Sequence, residues 1–118
     1  MNPREFKKFH KDFHDSFDVD PDYIEILKLH RLLEDAEIPH TTERFLDGWQ
    51  VCYPSSCGDR VLSAIEHLGS YGRERDLIEI MGLLTPEEEV CDQVAGYLTA
   101  ENVFRRIKRH YEGEWKHE

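Results

Sequence analysis

Apolar positions along this chain change their spacing from stretch to stretch, and each change predicts a change of secondary structure. At the N-terminus, Phe6, Phe9, Phe13 and Phe17 recur at helical intervals on an otherwise charged segment. Asn2-Pro3-Arg4-Glu5 ahead of them has the composition of a helix start, with a capping residue, proline at the first helical position and an acid to close a capping box. From Tyr23 to Ala36 the spacing is helical again. Ile26, Leu29, Leu33 and Ala36 form one stripe, which Leu27 and Leu32 widen. Asp20-Pro21 opens this helix and Pro39 closes it, pushing Ile38 out of helical geometry.

The period then shortens. Thr41–Leu46 and Trp49–Tyr53 are rich in strand formers, and Asp47-Gly48 between them is a strong two-residue hairpin signal. That loop sets Leu46 opposite Trp49, Arg44 opposite Val51 and Thr42 opposite Tyr53, with all six side chains on one face. Leu46, Trp49, Val51 and Tyr53 make it the packed face. After a loop from Pro54 to Asp59, the segment Arg60–Leu68 fits either a helix or a third strand, and its position after a hairpin favours the strand. Gly69-Ser70-Tyr71-Gly72 reads as a turn, and Asp76–Leu84 as a helix interrupted by Gly82.

Two further helix starts follow. Thr85-Pro86-Glu87-Glu88 offers a cap, a first-position proline and acids, with Val90, Val94 and Tyr97 or Leu98 as the buried stripe. Thr99-Ala100-Glu101-Asn102 opens a helix with Val103, Ile107 and Tyr111 on its apolar face and Arg105, Arg106, Lys108 and Arg109 toward its C-terminal end. Glu112–Glu118 reads as a loose tail. The expected fold is α+β: N-terminal helices, a three-stranded antiparallel meander, and C-terminal helices packed on the sheet. The 118 residues form one domain, with residues 1–17 as a helical extension.

Composition narrows the class of function. An apolar content of 39% supports a modest core despite the negative mean hydropathy. No apolar run reaches the roughly 20 residues that cross a bilayer, and Met1–Lys11 lacks a signal sequence, so a cytoplasmic location is expected. With 25 acidic against 15 basic residues the net charge is −10, which opposes direct DNA binding and suits a partner with a basic groove. The three cysteines, Cys52, Cys57 and Cys91, do not make a disulfide framework.

Candidate chemistry is sparse. Asp18, Asp20 and Asp22 alternate like the opening of a calcium loop, but the sixth and twelfth positions hold Tyr23 and Leu29, which excludes it. Ser63 and Ser70 lack a nucleophile motif, the glycines around Ser70 do not form a phosphate loop, and no carboxylate pair is divided into acid and base roles. An enzyme is therefore not expected. Metal binding is more plausible chemistry. In the hairpin register His40 lies opposite Ser55, so His40, Cys52 and Cys57 are expected to converge as zinc ligands, with Asp59, Cys91 or a second histidine as candidates for the missing fourth. His10 and His14, at i, i+4, form a second candidate pair. The basic run Arg105–His110 has no aromatic platform interleaved with it.

Four stretches carry a family resemblance: Asp47-Gly48-Trp49-Gln50-Val51-Cys52-Tyr53-Pro54, Ile65 to Gly72, Leu77 to Thr85 and Gly96 to Phe104. Together they resemble a group of uncharacterised small proteins encoded by phages and prophages of Firmicutes. The likeness covers roughly residues 40–111, and the first 39 residues add nothing to it. In size, charge and lack of motif the chain is also similar to inhibitors of type II-A CRISPR effectors. What the resemblance implies is a stoichiometric Cas9 inhibitor that blocks nucleic-acid loading into a positive channel. On that reading the working acids are Asp15, Asp18, Asp20 and Asp22 before the second helix, and Glu87, Glu88, Glu89 and Asp92 near the start of a later one. A phage replication, packaging or scaffolding protein, and a metal-stabilised enzyme or enzyme accessory, are the alternatives.

Overall fold

Alternation of buried and exposed side chains is more extensive here than the sequence pattern suggests, and it builds a larger sheet. The structure, a computed structural model, describes residues 20–116. The phenylalanine stripe of Phe6, Phe9, Phe13 and Phe17, the helix start at Asn2, the His10–His14 pair, and Asp15 and Asp18 lie outside the described residues.

The elements run α1 (Ile24–Asp35), β1 (Thr41–Phe45), β2 (Gly48–Tyr53), β3 (Leu62–Glu66), a short 3-10 turn (Arg73–Arg75), β4 (Ile78–Met81), α2 (Pro86–Cys91), β5 (Ala95–Leu98) and α3 (Ala100–Tyr111). The strands form one antiparallel meander in the order β1-β2-β3-β4-β5. The α+β class is as expected, but the sheet has five strands instead of three. Arg60–Leu68 resolves as a strand.

Two segments read as helix belong to the sheet. Asp76–Leu84 contains β4, where buried Ile78 and Ile80 alternate with Glu79 and Met81. This period of two suits a strand, and Asp76 in the left-handed region (φ 54°) breaks any helix before it. The helix beginning at Thr85 has the expected start: a complete capping box between Thr85 and Glu88, with Pro86 in its first turn. It ends at Cys91, because Asp92 is extended (φ −165°). Ala95–Leu98 then adds β5 to the edge of β4 through a bulge, so Val90 is exposed and Tyr97 half-exposed. Short apolar runs have no period of their own long enough to separate strand from helix, and pairing with a neighbour decides them.

The hairpin is real, but its turn lies one residue earlier. Phe45 pairs with Gly48, Arg44 with Trp49 and Thr42 with Val51, so Leu46 and Asp47 form the loop. Leu46 takes positive φ (55°) and is 73% exposed, not packed against Trp49. Asp47 anchors this arrangement by accepting from the Tyr23 hydroxyl and from the Leu68 amide. Gly48 is not in the left-handed region. It is required because a Cβ there would sit 1.9 Å from the Glu66 carbonyl oxygen. The shift preserves strand parity, so Arg44, Thr42, Trp49, Val51 and Tyr53 still share one face.

That face is covered. α1 lies across β2 and β3, and α3 packs chiefly against α1. Ile26, Leu29 and Leu33 meet Val51, Leu62, Ala64, Ile78 and Ile80 in a core that Val103 and Ile107 close from α3. Tyr111, expected in that stripe, is half-exposed, and Ala36 ends α1 at the surface. No helix among the described residues is long and apolar enough to cross a membrane.

Candidate functional site

The end of α1 builds the most concentrated group of ligand atoms. His30 and Glu34 stand at i, i+4 on one helical face. The helix stops in a Schellman motif: Glu37 adopts φ 57°, its amide bonds the Glu34 carbonyl, and the Ile38 amide reaches the Leu33 carbonyl at 3.0 Å. Ile38 is buried, which fixes the reversal. The chain therefore doubles back, and His40, entering β1 on its covered face, meets the last turns of α1.

The resulting geometry is close and directional. His40 Nδ1 lies 2.8 Å from the Ile38 carbonyl oxygen, an atom that only accepts, so Nδ1 carries a proton. The lone pair of a neutral His40 is then on Nε2, which lies 3.1 Å from His30 Nδ1 and 3.3 Å from a Glu34 carboxylate oxygen. His30 Nδ1 is also 2.7 Å from the Thr42 hydroxyl. Tetrahedral zinc, with bonds of about 2.0–2.1 Å, separates its ligand atoms by about 3.3 Å. Two of the three spacings match that figure, and all three ligand atoms lie within 4.8 Å of one another. The Ile38 carbonyl supplies the outer hydrogen bond that orients a ligating imidazole. The cluster can hold a metal ion, with the His40 side chain 4% exposed and the Glu34 side chain 47% exposed toward solvent.

Only His40 of the expected zinc trio takes part. Strand alternation explains why: Cys52 pairs with Thr41 and points to the opposite sheet face from His40. Cys52 is buried beside Arg60, and Cys57 is exposed in the following loop. Among the described residues no group of three ligand side chains includes either cysteine. The signal missed in the sequence is His30-x3-Glu34 followed by a helix stop and a histidine.

Of the acids expected to bind a partner, Asp20 and Glu88 are held in the structure by named contacts. Asp20 accepts from the Trp49 indole at 3.0 Å and faces Arg44 at 3.5 Å. Glu88 completes its capping box and takes both Nη groups of Arg106 at 2.7 and 2.8 Å, and Arg106 first of all holds its pKa down at about 2. Asp22, Glu87, Glu89 and Asp92 are exposed.

A second buried cluster sits under the other end of α1. Glu66 is fully buried on β3 and pairs with Arg73, whose guanidinium lies over the Tyr23 ring. Its Oε1 has no donor. Burial pushes the Glu66 pKa up to about 8, a hydrogen bond to Asp76 adds to the rise, and Arg73 opposes it. A buried carboxyl with one oxygen facing no donor is better accommodated in its protonated form.

The sheet face that no helix covers among the described residues offers a surface. Glu43, Gln50, Ile65 and Glu79 form one row across it, with Thr41, Cys52, Ser63 and Met81 in the next. A groove of 490 Å³ lies here, walled by Phe45, Ile65 and Met81 and polar at Gln50, Glu79 and Arg60. No family model matches the chain, and no curated protein or solved structure matches it either.

Proposed function

We propose that this chain is a macromolecule-binding protein that acts without catalysis, through the uncovered face of its sheet. One observation carries the reading: among the described residues the helices cover a single face, and the other presents Phe45, Ile65 and half-exposed Met81 around the 490 Å³ groove. Apolar side chains on an open sheet stand ready to be covered by a partner. The net charge of −10 and the acids Glu43 and Glu79 within the face favour a protein with a basic rim. A Cas9-type effector, with its positive channel, is the partner of that chemistry to test first. The reducing cytoplasm is the compartment in which Cys52, Cys57 and Cys91 remain free thiols, as they are here. The test is association with immobilised Cas9 carrying guide RNA, for wild type and Met81→Glu. The wild type should bind with a rate that falls with salt, and the variant should bind at least tenfold more weakly. No binding by the wild type removes Cas9, and equal binding by the variant removes the sheet face.

Zinc is the ion we assign to His30, Glu34 and His40. Two imidazoles and a carboxylate suit a borderline ion that takes nitrogen and oxygen together. Its role is structural, tying the end of α1 to the start of β1. Zinc at a hundredfold excess over its dissociation constant should raise the melting temperature by roughly 10 °C. His40→Ala should abolish that rise. A melting temperature unmoved by zinc in the wild type would remove the metal from this site.

A further inference from the structure

After α3 the chain reverses before Lys116. Gly113 takes φ 75° with open space where a Cβ would be, so it serves the backbone and not the packing. Its amide bonds the His110 carbonyl, and the Glu114 amide reaches the Arg109 carbonyl at 2.7 Å. This second Schellman reversal turns the chain back along α3. Trp115, half-buried, comes to rest among Arg105 and Arg109 of α3 and Thr85 and Pro86 at the start of α2. The aromatic platform absent from the Arg105–His110 run is supplied by the residue that follows the reversal.

Two hollows flank the indole. The smaller, of 160 Å³, is lined by Thr85, Asn102, Arg105, Arg106 and Arg109. Arg106 is spent on Glu88, Asn102 and the Leu83 carbonyl. Arg105 and Arg109 are exposed, at i, i+4 on one face, and have no ion pair among the described residues. Two like charges so placed repel each other, and an anion between them relieves the repulsion. Thr85 is engaged within its capping box, its hydroxyl accepting from the Glu88 amide and bonded to the Glu88 carboxylate, so the charge on this hollow is left to the two arginines. The larger hollow, of 440 Å³, has Pro86 and Trp115 as flat apolar walls, Lys116 beside them, and the carboxylates of Glu87 and Glu114 at its rim.

The geometry points to a nucleotide site, with the phosphate on Arg105 and Arg109 and the base on Trp115. Guanidinium groups match phosphate oxygens, an indole takes the face of any base, and a rim carboxylate accepts from an exocyclic amine. A free mononucleotide fits better than a nucleic-acid strand, because the net charge of −10 repels a polyanion far more than a single phosphate.

Calorimetric titration of the whole chain with AMP tests this, at an ionic strength of about 10 mM, where the Debye length is about 30 Å. Saturable binding is expected, with adenosine and inorganic phosphate each binding at least tenfold more weakly. Trp115→Ala should weaken AMP binding by roughly tenfold, since base stacking on an aromatic accounts for that much. Arg105→Gln with Arg109→Gln should weaken it further and flatten its salt dependence. Both arginines are exposed and, among the described residues, without an ion pair, so circular dichroism of the double variant should match the wild type. Absence of saturable binding by the wild type overturns the proposal. So does AMP binding unchanged in Trp115→Ala, adenosine binding as tightly as AMP, or a phosphotyrosine peptide binding more tightly than AMP.

Discussion

Glu66 should make this protein less stable as pH rises, the reverse of what a surface carboxylate does. Its carboxyl is fully buried, with Arg73 on one oxygen and no donor on the other. An ordinary value of 4.5 in the unfolded chain becomes about 8 in the folded one. A group whose pKa is raised on folding contributes stability that is complete below the unfolded value and disappears as pH climbs through the folded one. At about 1.4 kcal/mol for each pH unit between the two values, the loss across the window is at most about 5 kcal/mol. Glu66→Gln keeps the shape of the neutral acid and cannot ionise. Urea unfolding of both proteins, followed by circular dichroism from about pH 5 to about pH 8.5, isolates the effect. The seven histidines are common to both chains and cancel in the difference. Near pH 5 the two should be of similar stability, and toward pH 8 the variant should gain several kcal/mol relative to wild type. If Arg73 dominates instead, Glu66 is ionised throughout. The variant would then be less stable by a constant amount, about 3–5 kcal/mol for a broken buried pair, at every pH. That outcome would refute the reasoning.

Gly48→Ala should cost at least about 2 kcal/mol in urea unfolding, because the added methyl meets the Glu66 carbonyl in a strand backbone that cannot move aside. Since Gly48 is not at positive φ, a neutral result would show that the two strands do not approach as closely as they do here. Glu88 behaves oppositely to Glu66: its folded pKa of about 2 lies below the usual 4.5, so its contribution is present above 4.5 and fades as pH falls toward 2. Glu88→Gln should lose roughly 2–3 kcal/mol at neutral pH and show a flatter acid limb in thermal melts. Ile107→Ala, at the fully buried seam between α1 and α3, should lose about 2–5 kcal/mol by urea unfolding, and a loss below 1 kcal/mol would mean the helices do not share that core.

Local rules carried much of the chain. The stripe of Ile26, Leu29 and Leu33, the capping box at Thr85, the start at Thr99 and the covered side of β1 and β2 all follow from spacing and caps, because they depend on residues within a few positions of one another. The limits of those rules are equally specific. Ile78–Met81 is a strand because Ile78 and Ile80 find β3 on one side and β5 on the other, and neither neighbour is visible in so short a run. The turn residue of the hairpin was decided by Tyr23 and Leu68 gripping Asp47, partners 24 and 21 positions away. The candidate metal centre was half legible: His40 was singled out, but its companions were sought across the hairpin. Alternation puts Cys52 on the far face, while the helix reversal at Glu37 returns the chain to His30 and Glu34. The nature of each side chain belongs to the sequence. Which of them face one another was decided by two reversals and a sheet edge, through contacts between residues far apart in the chain.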